Sequence, residues 1–337
     1  MKFGQTFTEY LQGEQERFLV KCSHVEYKRL KKVLKSCKSC RALQDSSCNE
    51  GADVEGDDAV ASICHCESCP LCDQMFFSEL MKEASEISGF LSSRVRRLLH
   101  LHISKGLQKY MLQLYHCFGS GQHAMVQEVR ILIDYVIMNA IAMQKLLKKY
   151  DKVHSSINGR KFKTKLRSEH MELLQSPWLI ELGAFYINST TLDNGDSPED
   201  FRQFSCDFTS TQPVLTLMLP NSMKLEYNLT CAVCLDTLFN PYALSCGHLF
   251  CKACACSAVS VMIFEGLKAA LPESKCPICR EVGVYANSVY MMELDLLLKN
   301  RCKKYWKERL NEERAEMVKQ SKDYWDSQTK FVIGFGN

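Results

Sequence analysis

Between Cys231 and Arg280 the chain carries eight side chains of metal-ligand type, in the order Cys231, Cys234, Cys246, His248, Cys251, Cys254, Cys276 and Cys279. Three of the gaps are Cys-x-x-Cys and one is Cys-x-His. A Cys-x-x-Cys pair in a tight turn aims both sulfurs at one tetrahedral Zn²⁺, and two such pairs complete one site. Eight ligands therefore predict two closed, four-coordinate sites. A closed site leaves no position for water, so both zinc ions are expected to be structural, and hydrolysis at the metal is not expected. Scattered buried cysteines are the competing reading, and the regular spacings speak against it.

A second chemistry is electrostatic. Lys145, Lys148, Lys149 and Lys152 follow one another at intervals of three, one and three. Residues three and four apart share a helix face, so these ammoniums form one dense patch. From Lys145 to Arg167 there are nine Lys or Arg and one acid, Asp151. From Lys21 to Arg41 there are eight and one, Glu26. Like charges at this density repel, a cost that an anionic ligand offsets. A solvated basic face is the plain alternative; a polyphosphate site is the sharper one.

The order of three Cys, one His and four Cys, with these gaps, resembles a RING finger. The resemblance implies a cross-brace. It places Cys231, Cys234, Cys251 and Cys254 on one zinc, and Cys246, His248, Cys276 and Cys279 on the other. Interleaving ties together segments distant in sequence, so metal-binding free energy becomes folding free energy. The resemblance also implies an activity, the binding of a ubiquitin-charged conjugating enzyme and promotion of ubiquitin transfer to a substrate lysine. Catalysis of that kind is positioning, without a nucleophile on the ligase. The implied contacts are Val233 before the second ligand, Pro277 and Ile278 after the seventh, and Arg280, the "linchpin" after the last. A bulky residue often completes the family's groove after the sixth ligand; here Ala258 and Val259 stand there.

The N-terminal half resembles an SPX domain over roughly Met1–Leu166. It opens MKFG, continues with Tyr27-x3-Lys31 amid further lysines, and ends in KLLKKYDK. The resemblance implies a helical bundle that binds inositol polyphosphates as a report on phosphate status. Tyr27, Lys31 and Lys149 match its phosphate-binding cluster. Lys145, Lys148 and Lys152 match the adjoining lysine surface, and Lys2 the N-terminal basic residue. Lysines supply point charges and the tyrosine hydroxyl a directional hydrogen bond.

The chain has 337 residues, 46% of them apolar, with a net charge of +3. That length admits two domains, and that charge argues against a nucleic-acid coat. Nineteen cysteines alone would suggest a secreted disulfide protein. Eight are claimed by zinc spacing, however, and the start MKFGQTFTEYL lacks a signal peptide's apolar core, so a reducing interior is expected. The apolar run Ile131–Leu147 contains Asp134, Asn139 and Gln144, which makes it a buried helix and not a membrane span. Cys37, Cys40, Cys64, Cys66, Cys69 and Cys72 are close enough in sequence to hold a third metal, with reduced thiols as the alternative.

Taken in order, apolar periodicity predicts a short helix near Met1–Leu19, a basic helix after Ser23, and an acidic loop over residues 44–62. Two long helices follow, roughly Phe76–Gly119 and Val126–Val153, broken by GSGQH at 119–123. A packed segment around Trp178 and Phe185 leads to a hairpin turning at Pro220-Asn221-Ser222. A long charged helix closes the chain. The expected fold is mainly α, an SPX-like helical bundle with a small zinc-stabilised RING and a C-terminal helix. Its divisions are 1–166 (with an acidic, cysteine-rich insert at about 44–72), 167–230, 231–280 and 281–337.

SPX followed by RING resembles the plant nitrogen-limitation-adaptation group of ubiquitin ligases. That resemblance implies phosphate transporters as substrates and a place at the cytoplasmic face of the plasma membrane or in the nucleus. A homodimer through the last helix is one further expectation. A non-catalytic zinc adaptor, a nucleic-acid binder through residues 21–41 and 145–167 (for which neither interleaved aromatics nor a recognised fold is evident), and a phosphate-status sensor with a secondary RING are the alternatives.

Overall fold

The computed structural model describes residues 3–12, 22–35, 70–101, 107, 110, 119–153, 157–168, 172–190, 204–208, 212–220 and 223–334. Lys2, the acidic loop and, of the third-metal reading, Cys37, Cys40, Cys64, Cys66 and Cys69 fall outside the described residues; Cys72 lies within 70–101. The chain divides into two compact units, Met1–Ser92 with Asp134–Leu174, and Ser93–Ile133 with Gln175–Asn337. No helix among the described residues is long and apolar enough to cross a membrane.

The first unit is helical. It contains α1 (Phe3–Gln12), α2 (Tyr27–Lys35), most of α3 (Pro70–Leu98), the latter part of α4 (Gly119–Val153) and α5 (Ile157–Ser168). Leu80, Ala84, Ile87 and Leu91 recur at three- and four-residue spacing on α3 and are fully buried. Tyr150 on α4 stacks on Phe76 at 5.2 Å and meets Phe77 at 4.6 Å, and Phe77 stacks on Phe162 of α5 at 4.9 Å. These rings fasten three helices together. Asn139, fully buried, accepts a hydrogen bond from the Val25 N–H at 2.9 Å and donates to the Tyr135 carbonyl at 2.8 Å. It thus satisfies the chain just before α2 and explains a polar residue inside an apolar run.

The helix break lies elsewhere than expected. GSGQH at 119–123 opens α4 and does not interrupt the pair, and α3 ends at Leu98. Glycine and serine are favourable at a helix start, so local sequence is compatible with both readings. The real stop is a Schellman cap. Leu101 N–H bonds the Arg96 carbonyl, His100 N–H bonds the Arg97 carbonyl, and His100 takes φ 53°. Histidine stands where glycine is usual, so the stop carries no sequence signal.

The second unit holds the eight zinc-type ligands. After α6 (Pro177–Thr190) come β1 (Phe204–Asp207), β2 (Val214–Met218) and β3 (Lys224–Asn228), an antiparallel sheet in that order. The expected hairpin is β2–β3, and β1 adds a third strand. A second small sheet, ordered β5-β4-β6, uses β4 (Pro241–Ala243), β5 (Leu249–Cys251) and β6 (Val289–Tyr290). Between them lies α7 (Lys252–Ala258). The expected single closing helix is two, α8 (Met292–Arg301) and α9 (Lys303–Gly334), divided at Cys302 with φ −118° and ψ 50°. Tertiary bonds set the division. Trp306 at the start of α9 packs on Phe239, and its Nε1 donates to Asp295 of α8 at 3.2 Å.

Candidate metal centre and polyanion surface

Two backbone knuckles build the metal centre, and they are alike. In the first, Leu235 N–H bonds the Cys231 carbonyl and Cys231 N–H bonds the Asp236 carbonyl, each at 2.8 Å. In the second, Arg280 N–H bonds the Cys276 carbonyl and Cys276 N–H bonds the Glu281 carbonyl, each at 2.9 Å. Leu235 and Arg280 both adopt φ 62°. The turn brings the two sulfurs of each Cys-x-x-Cys together. Gly247 allows the Cys-x-His turn, with φ 86° and its N–H on the Leu244 carbonyl.

The ligand atoms collect into two groups, each within 4.8 Å throughout: Cys231, Cys234, Cys251 and Cys254, then Cys246, His248, Cys276 and Cys279. This is the interleaved pairing. A tetrahedral site with Zn–S near 2.3 Å has edges of about 3.8 Å. Cys234 and Cys251 sulfurs are 3.9 Å apart, and His248 Nδ1 lies 3.4 Å from Cys246 Sγ and 3.7 Å from Cys276 Sγ. The donor set also asks for a cation. Hydrogen bonds from Cys251 and Cys254 hold the Cys231 thiol far below its usual range, while Cys231 in turn drives Cys251 far above it. Neighbouring buried thiols cannot all ionise alone; Zn²⁺ lets them do so. Residues and metal therefore fit, and the ions would act as structural braces.

On the knuckle tips, Val233, Pro277, Ile278 and Arg280 are exposed. Ala258 is exposed at the end of α7, and Val259 is half-buried. Beyond them Phe264 leans on Tyr324 of α9, with ring centroids 6.4 Å apart.

In the other unit, Phe3 and Tyr27 meet edge to face at 5.3 Å. Lys31 Nζ stands 5.8 Å from the Tyr27 ring, and Lys145 Nζ 4.7 Å from the Phe3 ring. Gly4 admits Tyr27, whose ring lies 3.4 Å from where a Cβ would stand. Tyr27, Lys31 and Lys145 are therefore brought together. Lys149 follows Lys145 by one helical turn and is half-buried; Lys152 is exposed. Lys148, exposed on the same helix, also faces a groove. With Lys163 and Glu172 it lines a groove of about 270 Å³ floored by Met143, Leu147 and Leu173. Arg29, in the same basic run as Lys31, is committed to Glu79 and Glu83.

The residues that hold the RING in place were missed by sequence reasoning. Glu181 of α6 is fully buried, and its two carboxylate oxygens accept the Glu293 and Leu294 N–H groups at 2.8 and 3.1 Å. It caps the start of α8, which has no cap of its own. Asn188 donates to both the carbonyl and carboxylate of Glu293. Asp295 receives Asn240 N–H at 3.0 Å, the Tyr290 hydroxyl at 2.8 Å and Trp306 Nε1. Burial pushes Glu181 up to about 8, aided by the Glu293 charge, and Glu293 up to about 7. The available signal was an acid inside an apolar run, in WLIELGAF and MMELDLLL.

Residues 231–279 match the family described as "Zinc finger, C3HC4 type (RING finger)". The whole chain is similar to "Probable E3 ubiquitin-protein ligase BAH1-like" of Arabidopsis thaliana, 60% identical over 99% of this chain and 100% of the relative. It is 58% identical to "Probable E3 ubiquitin-protein ligase BAH1-like 1" of Oryza sativa subsp. indica, at the same coverage. It is 40% identical to "E3 ubiquitin-protein ligase NLA" of Arabidopsis thaliana, again over 99% and 100%. No solved structure matches. Cross-braced knuckles, their zinc-type ligands and end-to-end similarity converge: the chain belongs to the BAH1-like and NLA family of RING-type E3 ubiquitin-protein ligases.

Proposed function

We propose that this RING ligase receives its ubiquitin-charged conjugating enzyme on Val233, Pro277, Ile278 and Arg280, and that its helical unit binds an inositol polyphosphate. The knuckle tips support the first part, because they expose three apolar side chains and a cation on backbone braced by the metal sites. The second part is carried by one observation, the Phe3–Tyr27 pair flanked by the Lys31 and Lys145 ammoniums. Two cations and a phenol at one place suit a multiply phosphorylated ring. Lys149 continues the cluster along α4. Lys148 and Lys152 extend the basic surface, and Lys2 precedes Phe3 in sequence.

The resemblance to the nitrogen-limitation-adaptation group supports phosphate transporters as substrates, with action at the cytoplasmic face of the plasma membrane or in the nucleus. Val318 and Trp325, seven residues apart on α9 and both exposed, are where a second copy would pack.

Titration of the full-length protein with inositol hexakisphosphate tests the ligand site. Lys31→Ala and Lys149→Ala should each weaken binding about tenfold, the loss of one charge-assisted contact. Unchanged affinity in both variants would rule the site out. Addition of the same ligand to a ubiquitination assay then reports whether occupancy alters transfer.

A further inference from the structure

Helix α5 carries Arg160, Lys161, Lys163, Lys165 and Arg167, and no acid. Its inner side is fixed. Gly159, Phe162 and Leu166 recur at three- and four-residue spacing and are buried, and Phe162 stacks on Phe77 of α3. Arg160, Lys161, Thr164 and Lys165 are exposed. Lys163 stands 3.9 Å from the Asp151 carboxylate. Lys161 and Lys165 are one helical turn apart, so they repel unless something anionic covers them.

Beside α5, within the first unit, lies a groove of about 460 Å³. Phe77, Met81 and Phe162 give it an apolar lining; Lys82, Lys165 and Ser85 give it a cationic and hydroxyl one. No acid lines it. The acids of α3 have other partners: Glu79 and Glu83 pair with Arg29, and Glu86 accepts the Ser23 hydroxyl at 3.0 Å. Ser78, Lys82 and Ser85 follow at intervals of four and three and form one stripe of α3. Met75 opens that stripe and is 62% exposed. The groove that Lys148 lines differs, because Glu172 stands in its wall.

We propose that the exposed side of α5 and this groove form a docking surface for a bilayer with anionic headgroups. A headgroup phosphate sits between the Lys82 and Lys165 ammoniums, with the Ser85 hydroxyl as a further donor. Arg160 and Lys161 lie against neighbouring headgroups, and Met75 enters the boundary between headgroups and acyl chains. The pairing of cations with open apolar surface points to lipid. A free polyphosphate satisfies the ammoniums and leaves Met75 and the apolar lining in water; a lipid covers both. Tyr27, Lys31 and Lys145 do not line the groove, so this surface stands or falls without the polyphosphate site. Docking there restricts the ligase to substrates within reach of the bilayer.

The test floats the full-length zinc-loaded protein with vesicles of phosphatidylcholine, alone or with about 30% phosphatidylserine. Binding to the anionic vesicles should exceed that to the zwitterionic ones about tenfold or more and weaken as salt rises. The pair Lys82→Ala with Lys165→Ala, and the pair Arg160→Ala with Lys161→Ala, should each lower it about tenfold. Met75→Ser should lower it about threefold with the charge unchanged, a loss that a soluble anion would not register. All five side chains are exposed, so each variant should keep the thermal midpoint and two zinc ions. Lys31→Ala and Lys149→Ala should leave vesicle binding unchanged. If those two abolish it while the α5 pair does not, the membrane is held at the polyphosphate site and the proposal is overturned. Equal or absent binding to the two kinds of vesicle would overturn it as well. So would tighter binding, through the same lysines, to a duplex RNA at the same salt.

Discussion

Gly183 shows how much one missing methyl group decides. A Cβ there would stand 2.5 and 2.7 Å from Phe204 ring carbons. Phe204 is buried in β1, so the ring has little room to turn away. Gly183→Ala gains about 1 kcal/mol of helix propensity and loses about 1–3 kcal/mol to overpacking. The clash should win, lowering the denaturation midpoint of the second unit. Gly89→Ala is the same chemical change where a Cβ meets nothing within 4 Å. It should raise stability by about 0.5–1 kcal/mol. Chemical denaturation of both variants checks the opposite signs. At this scale the sequence was most legible for the zinc ligands, because each Cys-x-x-Cys is a local signal read without knowing the fold. It was least legible where the partner is remote. Nothing near Gly183 names Phe204, and nothing near His100 announces a left-handed cap.

Among the elements, the junction of α6 with α8 is held by acids. Glu181 caps α8 while Glu293 lies close enough to raise its pKa. Both carboxyls have folded pKa values raised above the usual carboxylate range, to about 8 and about 7. The folded state therefore binds their protons more tightly than the unfolded one. The resulting stabilisation is fully present below the unfolded carboxylate pKa and is lost as pH rises through 7 to 8. Thermal midpoints of the zinc-loaded protein should fall between pH 6 and 9. Glu293→Gln keeps an acceptor for Asn188 and removes the like charge. It should flatten that fall, with its largest gain at pH 9; an unaltered slope would remove Glu293 as the cause. This junction also explains why the packed segment around Trp178 and Phe185 was readable as buried while its role was not. The acid and the helix it caps are 112 residues apart in sequence.

For the whole molecule, the order of its two chemistries was readable from residue types alone. Thiol spacing announces the zinc braces, and lysine density announces the basic helices. The mainly helical fold followed from periodicity, and the RING from the resemblance of the ligand order to that family. What the sequence did not yield was the groove beside the lysine patch, because helical spacing groups Lys145 with Lys148 but does not show that tertiary packing brings Lys163 and Glu172 next to Lys148. The breaks at Leu98 and Cys302 were likewise set by contacts and not by glycine or proline. The central claim is that metal-braced knuckles position a charged conjugating enzyme without supplying a nucleophile. Its most direct test is ubiquitin discharge from a charged conjugating enzyme by the full-length protein, wild type beside Arg280→Ala, each verified to carry two zinc ions. The wild type should accelerate discharge and Arg280→Ala should lose tenfold or more of that acceleration, about 1.4 kcal/mol of transition-state positioning. Equal rates from the two proteins, with zinc intact in both, would contradict the account.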